Sequence, residues 1–355
     1  MNPLTRSDHL FGLLFSNADL EALWSSQRFV DTFSKFESAL AGALGDVGVV
    51  SRDVADTAMA DIAAFSPDLA AIQKQVPVDG VPVPAFVRQL KAHVSVEALP
   101  AIHIGATSQD LLDTAISLIL RDANAMLEDG LRHVCEAIEA MDTQWGASTM
   151  MGRTRMQAAL PITVHDRLAT WVMPMQFHLV HLGELRSRVE ILQFGGPVGN
   201  RAGLGEHGNA VAAALARRLD LADPGRAWHA TRGNLADYAN WLSSVTASLG
   251  KMGQDLALMA QQGIEEVRFT GGGTSSAMPH KQNPVLAETL VSLARFNAAQ
   301  LSLVHGAMIH EQERSGIAWA TEWMTLPAMV TTSVTALRHA NTLLNTIESL
   351  GAGPD

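Results

Sequence analysis

Residues 109–146 read QDLLDTAISLILRDANAMLEDGLRHVCEAIEAMDTQWG, and their periodicity decides the fold. Leu112, Ile116, Ile119, Ala123, Leu127, Leu131, Val134, Ile138 and Met141 recur at steps of three and four with no proline between them. That spacing stacks apolar side chains on one face of an α-helix, so the stretch predicts a single rod about 50 Å long. An apolar stripe of that length must be covered along its whole length. Leu235, Tyr238, Leu242, Val245, Leu249, Met252, Leu256 and Met259 supply one partner, alternating the same two steps as a bundle seam does. Further helices are predicted over about 162–189, 209–219, 285–308 and 327–350, the last stopped by Gly351 and Gly353. Long helices with short breaks describe an all-α, long-helix bundle.

Toward the N-terminus the pattern shortens, broken by Gly45, Gly48, Pro67 and the proline-rich stretch 77–84. There Val76-Pro-Val-Asp-Gly-Val-Pro-Val83 alternates enough to predict an irregular or edge hairpin. The expected organisation is a smaller helical domain over 1–96, a boundary near Glu97, a central bundle over 97–350 and a tail over 351–355. Leu111, Leu118 and Met126 lie off the main seam of the rod, and a second apolar stripe needs a second set of neighbours. A homo-oligomer is therefore expected.

The 355 residues carry 47% hydrophobic and 17% charged side chains, ordinary globular usage that excludes a disordered or collagenous chain. A net charge of −11 lacks the basic field that nucleic acid or an anionic membrane demands, so neither is an expected partner. Cys135 is the single cysteine and can form no internal disulfide, which points to a reducing, cytoplasmic setting. No leader pattern opens the sequence and no run of about 18 apolar residues occurs, so neither export nor membrane insertion is expected.

Three polar islands break the helical pattern. The first, 103–114 (HIGATSQDLLDT), opens the long rod. At its plainest it is a helix start, with Thr107 and Asp110 as an acidic variant of the capping box. Hydroxyls and free N–H groups at such a start also make an anion site, with His103 beside it. The second, 151–157 (MGRTRMQ), sets Arg153 and Arg155 on either side of Thr154 in a short segment between helices, next to Gln157. Arginines on a surface loop are commonplace, yet this spacing suits bidentate recognition of carboxylates. The third, 271–284 (GGGTSSAMPHKQNP), begins with three glycines that raise its ordering cost, so it reads as a mobile lid. A plain connector would not need so many polar groups. A serine hydroxyl is a poor base unless a positive field stabilises its alkoxide, and Lys281 with the start of the helix after Pro284 supplies one.

Competing motifs fail on context. Gly203-Leu-Gly-Glu-His-Gly208 matches GxGxxG, but no strand precedes it. The glycine-rich segment lacks the GK[ST] ending of a P-loop, and none of the 13 histidines belongs to HExxH. His178 and His181 share a helix face and read as partly buried polar residues rather than metal ligands. No metal and no cofactor are expected.

The string 275–284 (SSAMPHKQNP) resembles the signature loop of the fumarase/aspartase/argininosuccinase superfamily. The other islands resemble its remaining motifs in the same order, over roughly residues 8 to 345. Within it, Trp228-His-Ala-Thr-Arg232, Glu311-Gln-Glu-Arg314 and Trp319-Ala-Thr-Glu-Trp323 are similar to the 3-carboxy-cis,cis-muconate cycloisomerases of protocatechuate breakdown. The resemblance implies a helical homotetramer with each active site assembled from three subunits, and a cofactor-free reaction on a small tricarboxylate through an aci-carboxylate intermediate. It implies that Ser275 acts at the carbon alpha to a carboxylate, with Lys281 supporting the charge. It puts Thr107, Ser108, Gln157 and Asn283 on substrate carboxylates, and His103, Arg153, Thr154, Arg155, Ser276 and Arg314 among the further substrate-binding candidates.

Two departures qualify this. Amine-eliminating lyases of the superfamily carry a histidine after the threonine of the second motif, where this chain has Arg155. An amine needs a proton to leave, whereas a carboxylate, whose acid has a pKa near 4, attacks or leaves unaided. The replacement favours cycloisomerisation, unless His103 takes the missing role. Residues 285–355 suffice for two bundle helices only, so the C-terminal helical domain of many relatives is expected to be reduced or absent. The alternatives are a fumarate-releasing lyase acting on adenylosuccinate, argininosuccinate or a succinyl-amino acid, and a non-catalytic relative like the lens crystallins. Against the net negative charge, arginines within a Debye length of about 8 Å must hold the trianion.

Overall fold

The computed structural model describes residues 6–274, 277–278 and 281–351. Helices α1 (Ala18–Leu23), α2 (Ser26–Val47), α3 (Arg52–Ala63), α4 (Leu69–Asp79) and α5 (Val83–His93) come first. Asn17, Ser25, Ser51 and Asp68 cap the first four, each accepting from a backbone N–H three residues on. The predicted rod follows as α6 (Ser108–Trp145). Strands β1 (Thr149–Thr154) and β2 (Gln157–Thr163) form a hairpin before α7 (Val164–Val189), α8 (Gly208–Leu219) and α9 (Gly233–Met259). Short strands β3 (Val267–Phe269), β4 (Gly273–Thr274) and β5 (Gln282–Asn283) lead to α10 (Val285–Gly306), α11 (Ile317–Leu344) and β6 (Ile347–Leu350). β3 pairs with β6, and β4 with β5, both antiparallel.

The mostly helical fold read from the spacing is the fold observed. Every residue of the predicted α9 seam is buried, in one core with the α6 seam from Ile116 onward and the inner faces of α7, α10 and α11. α9 lies along α7, α10 and α11, and α6 packs against α7 and α11. A second core joins Phe33, Phe36 and Leu40 of α2, Phe86 and Leu90 of α5, Leu215 of α8 and the first turns of α6. Leu111 and Leu118 belong to that second core. The off-seam stripe that pointed to a sister chain is thus covered largely from within, with Met126 half-buried against the bundle. An apolar face is left open on α7, where Met173, Phe177 and Val180 are 65%, 64% and 67% exposed.

Two local expectations are corrected. Residues 76–83 form no hairpin: α4 runs through Pro77 to Asp79, Gly80 ends it with a φ of +75°, and α5 starts at Val83. Proline φ suits a helix, and Pro84 in the first turn of α5 forfeits no hydrogen bond, so these prolines punctuate helices instead of marking a sheet edge. The final helix begins at Ile317, carries Pro327 inside it and ends at Leu344; 347–350 is strand paired to β3. Pro327 reads in sequence as a helix start, but the preceding residues from Ile317 are already helical and the proline is accommodated inside α11.

His178 on α7 is buried, with Nε2 2.9 Å from Ser248 Oγ. Burial, helped by neighbouring His181, pushes its pKa down from 6.5 to about 4. The fold therefore refuses a proton that the unfolded chain accepts, so this contribution is complete above about pH 6.5 and lost toward pH 4. The melting temperature should decline across that window, and His178→Gln should flatten part of the decline. Parallel slopes for the two proteins would rule this out.

Candidate active site

Asp110 and Asp113, one helical turn apart at the start of α6, are both fully buried. Asp110 accepts the Thr107 N–H at 2.9 Å, the expected acidic capping box. It also accepts the N–H groups of Gly195 and Gly196, each at 2.9 Å, and His229 Nε2 at 2.8 Å. Gly196 has a φ of +70°, and a Cβ there would stand 2.8 Å from the Gly105 carbonyl oxygen, so only glycine lets this turn approach the first island.

Asp113 anchors a charge network. Arg232 donates to it at 2.7 and 3.2 Å and to Glu322 at 2.8 and 2.6 Å, while Trp319 Nε1 and Gln193 Nε2 also donate to Asp113. Burial opposes the Asp113 charge, but the Arg232 guanidinium and these donors outweigh it and hold the carboxyl below its usual range. The network joins the starts of α6, α9 and α11. On its solvent side Arg314, carried by the segment between α10 and α11, donates Nη1 to Thr107 Oγ1 at 2.9 Å and Nη2 to the Pro197 carbonyl. His103, at a strained φ of +60°, is fixed through its own N–H and Nδ1 by the buried carboxylate of Glu37, at 2.9 and 2.7 Å. His103, Thr107, Ser108 and Arg314 are thereby brought to one end of the bundle.

The second island is a β-hairpin rather than a plain segment between helices. Thr154 faces Gln157 across a two-residue turn, and Arg155 and Met156 take φ values of +49° and +68°. Such turns favour Asn-Gly, which is why Arg-Met gave no hairpin signal. Thr154, Arg155 and Gln157 are exposed. Arg153 is anchored within the chain: Nη1 lies 2.6 Å from Glu266, which also accepts the Met151 N–H at 3.0 Å. Arg153 thereby clamps the base of the hairpin. In the third island, Ser275 and Ser276 lie outside the described residues. Pairing of β4 with β5 brings the ends of the loop together, Asn283 opposite Gly273. Lys281 is exposed, its N–H 3.0 Å from the Met278 carbonyl oxygen, and α10 starts right after Pro284 as expected.

The islands do not all meet within one chain. α6 holds 38 residues, about 57 Å of helix, with the first island at its start and the hairpin just past its end. Glu266, between the end of α9 and β3, grips that hairpin, and the third island continues from β3. The second and third islands therefore share one end of the bundle, and the first occupies the other.

Gly203–Gly208 lies in a 3-10 turn leading into α8, with no βαβ unit around it. Among the described residues no group of three or more His, Cys, Asp or Glu side chains is placed to hold a metal ion. No described helix is long and apolar enough to cross a membrane.

The profile of a family described as lyase matches residues 16–296. The chain belongs to that lyase family. It is 35% identical to the 3-carboxy-cis,cis-muconate cycloisomerase of Acinetobacter baylyi over 347 residues, 96% of this chain and 77% of that protein. It is 34% identical to the N-acetyl-S-(2-succino)cysteine lyase of Enterococcus italicus, covering 89% of this chain and 70% of the relative. The crystal structure of 3-carboxy-cis,cis-muconate lactonizing enzyme from Pseudomonas putida superposes with a TM-score of 0.88 at 34% identity, over 96% of this chain and 77% of that one. The resemblance to the fumarase/aspartase superfamily, and to its cycloisomerases in particular, is borne out.

The roles of Glu37 and Glu266 in fixing His103 and Arg153 were not legible in the lyase sequence, because each is an ordinary glutamate far away along the chain. The Arg232 network can be tested for weight. Arg232→Met leaves two buried carboxylates without a counter-charge and should cost about 3–5 kcal/mol by denaturant titration. A loss below about 1 kcal/mol, the range of an exposed pair, would contradict the network.

Proposed function

We propose that this lyase-family chain is a 3-carboxy-cis,cis-muconate cycloisomerase, interconverting that tricarboxylate with 4-carboxymuconolactone in protocatechuate breakdown by the β-ketoadipate route. The observation that carries the reading is Arg155 where amine-eliminating members have histidine, in a chain 35% identical to an enzyme of that name. Lactonisation uses a carboxylate of the substrate as nucleophile, and a carboxylate needs no general acid.

In the ring-closing direction, one carboxylate oxygen bonds to the ring-closing carbon while charge builds on a neighbouring carboxylate as an aci-anion. The alpha carbon then takes a proton from Ser275 or from a group for which Ser275 relays. Lys281 faces the developing charge. Thr107, Ser108 and the start of α6 bind one carboxylate, with Arg314 beside them, and Thr154, Arg155, Gln157, Ser276 and Asn283 serve the others. His103, its ring fixed by Glu37, borders the same group. Arg153 acts by holding the hairpin that presents Arg155. No cofactor takes part.

Members of the family are typically multimeric. For this chain the reading is a cytoplasmic homotetramer with active sites shared between subunits. The separation of the islands along α6 supports it, as does the open Met173, Phe177 and Val180 face of α7. A size-exclusion mass equal to one chain would contradict it.

The succinocysteine lyase relative gives substance to a second reading. A thiol of pKa about 8.5 leaves more readily than an amine, so Arg155 does not exclude C–S cleavage. Two assays separate the readings: cycloisomerisation removes the conjugated-diene absorbance of carboxymuconate, and lyase action releases fumarate from a succino-thioether. The diene signal should fall with native protein, and Ser275→Ala should slow it by about 10² to 10³ with folding intact, the typical cost of losing one transition-state group. Near-normal turnover by that variant would remove Ser275 from the mechanism.

A further inference from the structure

We infer that His229 is a positioning residue for the carboxylate site at the start of α6, acting through Asp110. The inference rests on the reading of Thr107, Ser108 and Arg314 as that site. His229 is 3% exposed and belongs to none of the three islands. Its Nε2 lies 2.8 Å from Asp110 Oδ1. A carboxylate only accepts, so Nε2 carries the hydrogen of this contact, while Nδ1 has no partner among the described residues. A Cβ on Gly199 would stand 3.3 Å from that nitrogen, so the ring edge packs directly under the turn 196–199.

The geometry closes a ring. On the buried side, Asp110 ties the Thr107 N–H to the N–H groups of Gly195 and Gly196, each at 2.9 Å. On the solvent side, Arg314 ties the same two segments together through Thr107 Oγ1 and the Pro197 carbonyl. The gap between the helix start and the glycine turn, and with it the place of the Arg314 guanidinium, is set from both sides. Three of the four donors to Asp110 are backbone groups, which no substitution short of proline removes. His229 is the side-chain donor, so it is the adjustable member of the clamp. Withdrawing it leaves a buried carboxylate one donor short and free to shift against Thr107 and Gly196.

Two variants of similar polarity isolate the effect. In His229→Gln the amide nitrogen falls near the native Nε2 and still reaches Asp110; in His229→Asn it falls a bond short. For carboxymuconate turnover, His229→Asn should raise KM at least tenfold with kcat within about threefold of native, and His229→Gln should stay within threefold in both. Hydrogen exchange should quicken at the Thr107 and Gly196 amides in the Asn variant while the α2 core is unchanged. Binding of tricarballylate by calorimetry reads the same site without turnover, so a failure of the cycloisomerase reading and a failure of this one are distinguishable. Equal KM and equal tricarballylate affinity for the two variants would overturn the inference. So would a fall in kcat and melting temperature that leaves KM and those two amides untouched.

Discussion

An unbroken helix of 38 residues sets the distance between the polar parts of this chain. Its stiffness is what the apolar periodicity specifies, and its length puts the Thr107 helix start and the Arg155 hairpin at opposite ends of the bundle. Everything functional depends on that separation. A carboxylate a few ångströms across cannot touch both ends of a rod about 57 Å long, so a site that uses both motifs must draw them from different chains. Under the proposed function the polar motifs are edges of shared sites, and the exposed Met173, Phe177 and Val180 face of α7 suits the same assembly.

The two ends are organised differently. At the first-island end, Asp110, Asp113, Arg232, Glu322 and Glu37 are buried, and their charges are met by one another, by backbone N–H groups and by the side chains of His229, Trp319, Gln193 and His103. Burying charges costs desolvation, and well-packed apolar side chains would often be as stable. What such a network supplies is placement: the starts of α6, α9 and α11 are joined, and Thr107 and Arg314 take defined positions on top of them. At the other end the hairpin stands clear of the body, held at its base by Glu266, with Thr154, Arg155, Met156 and Gln157 exposed at its tip. A fixed half and a presented half suit an anion gripped between them.

Much of this was legible in the residues. Periodicity of three and four gave α6 and α9 almost to their ends, and the capping pair Thr107 and Asp110 gave the start of the rod. Proline and turn chemistry misled where tertiary packing overrode local preference: Pro77 and Pro327 sit inside helices, and Arg155-Met156 holds left-handed φ at a turn that neither residue favours. The second stripe of α6 suggested a sister chain because a sequence cannot say that α2, α5 and α8 fold back to cover it. Pairings such as Glu37 with His103, Glu266 with Arg153 and Asp110 with His229 join residues from 66 to 119 positions apart, and no spacing rule connects them. Motif resemblance found the candidate side chains; the carboxylates that hold His103 and Arg153 in place came only with the fold.

The claim that one chain cannot complete its own site has a direct measurement. Chains carrying Ser275→Ala and chains carrying Arg314→Ala, each assayed alone for its residual turnover, are dissociated, mixed and reassembled, with hybrid oligomers counted by native mass spectrometry. Because Gly273 and Asn283, which flank that serine in sequence, lie at the opposite end of the bundle from Arg314, hybrids should regain carboxymuconate turnover at sites that receive both intact parts from different chains. Hybrids that form and stay as inactive as their parents would show that each chain builds its site alone.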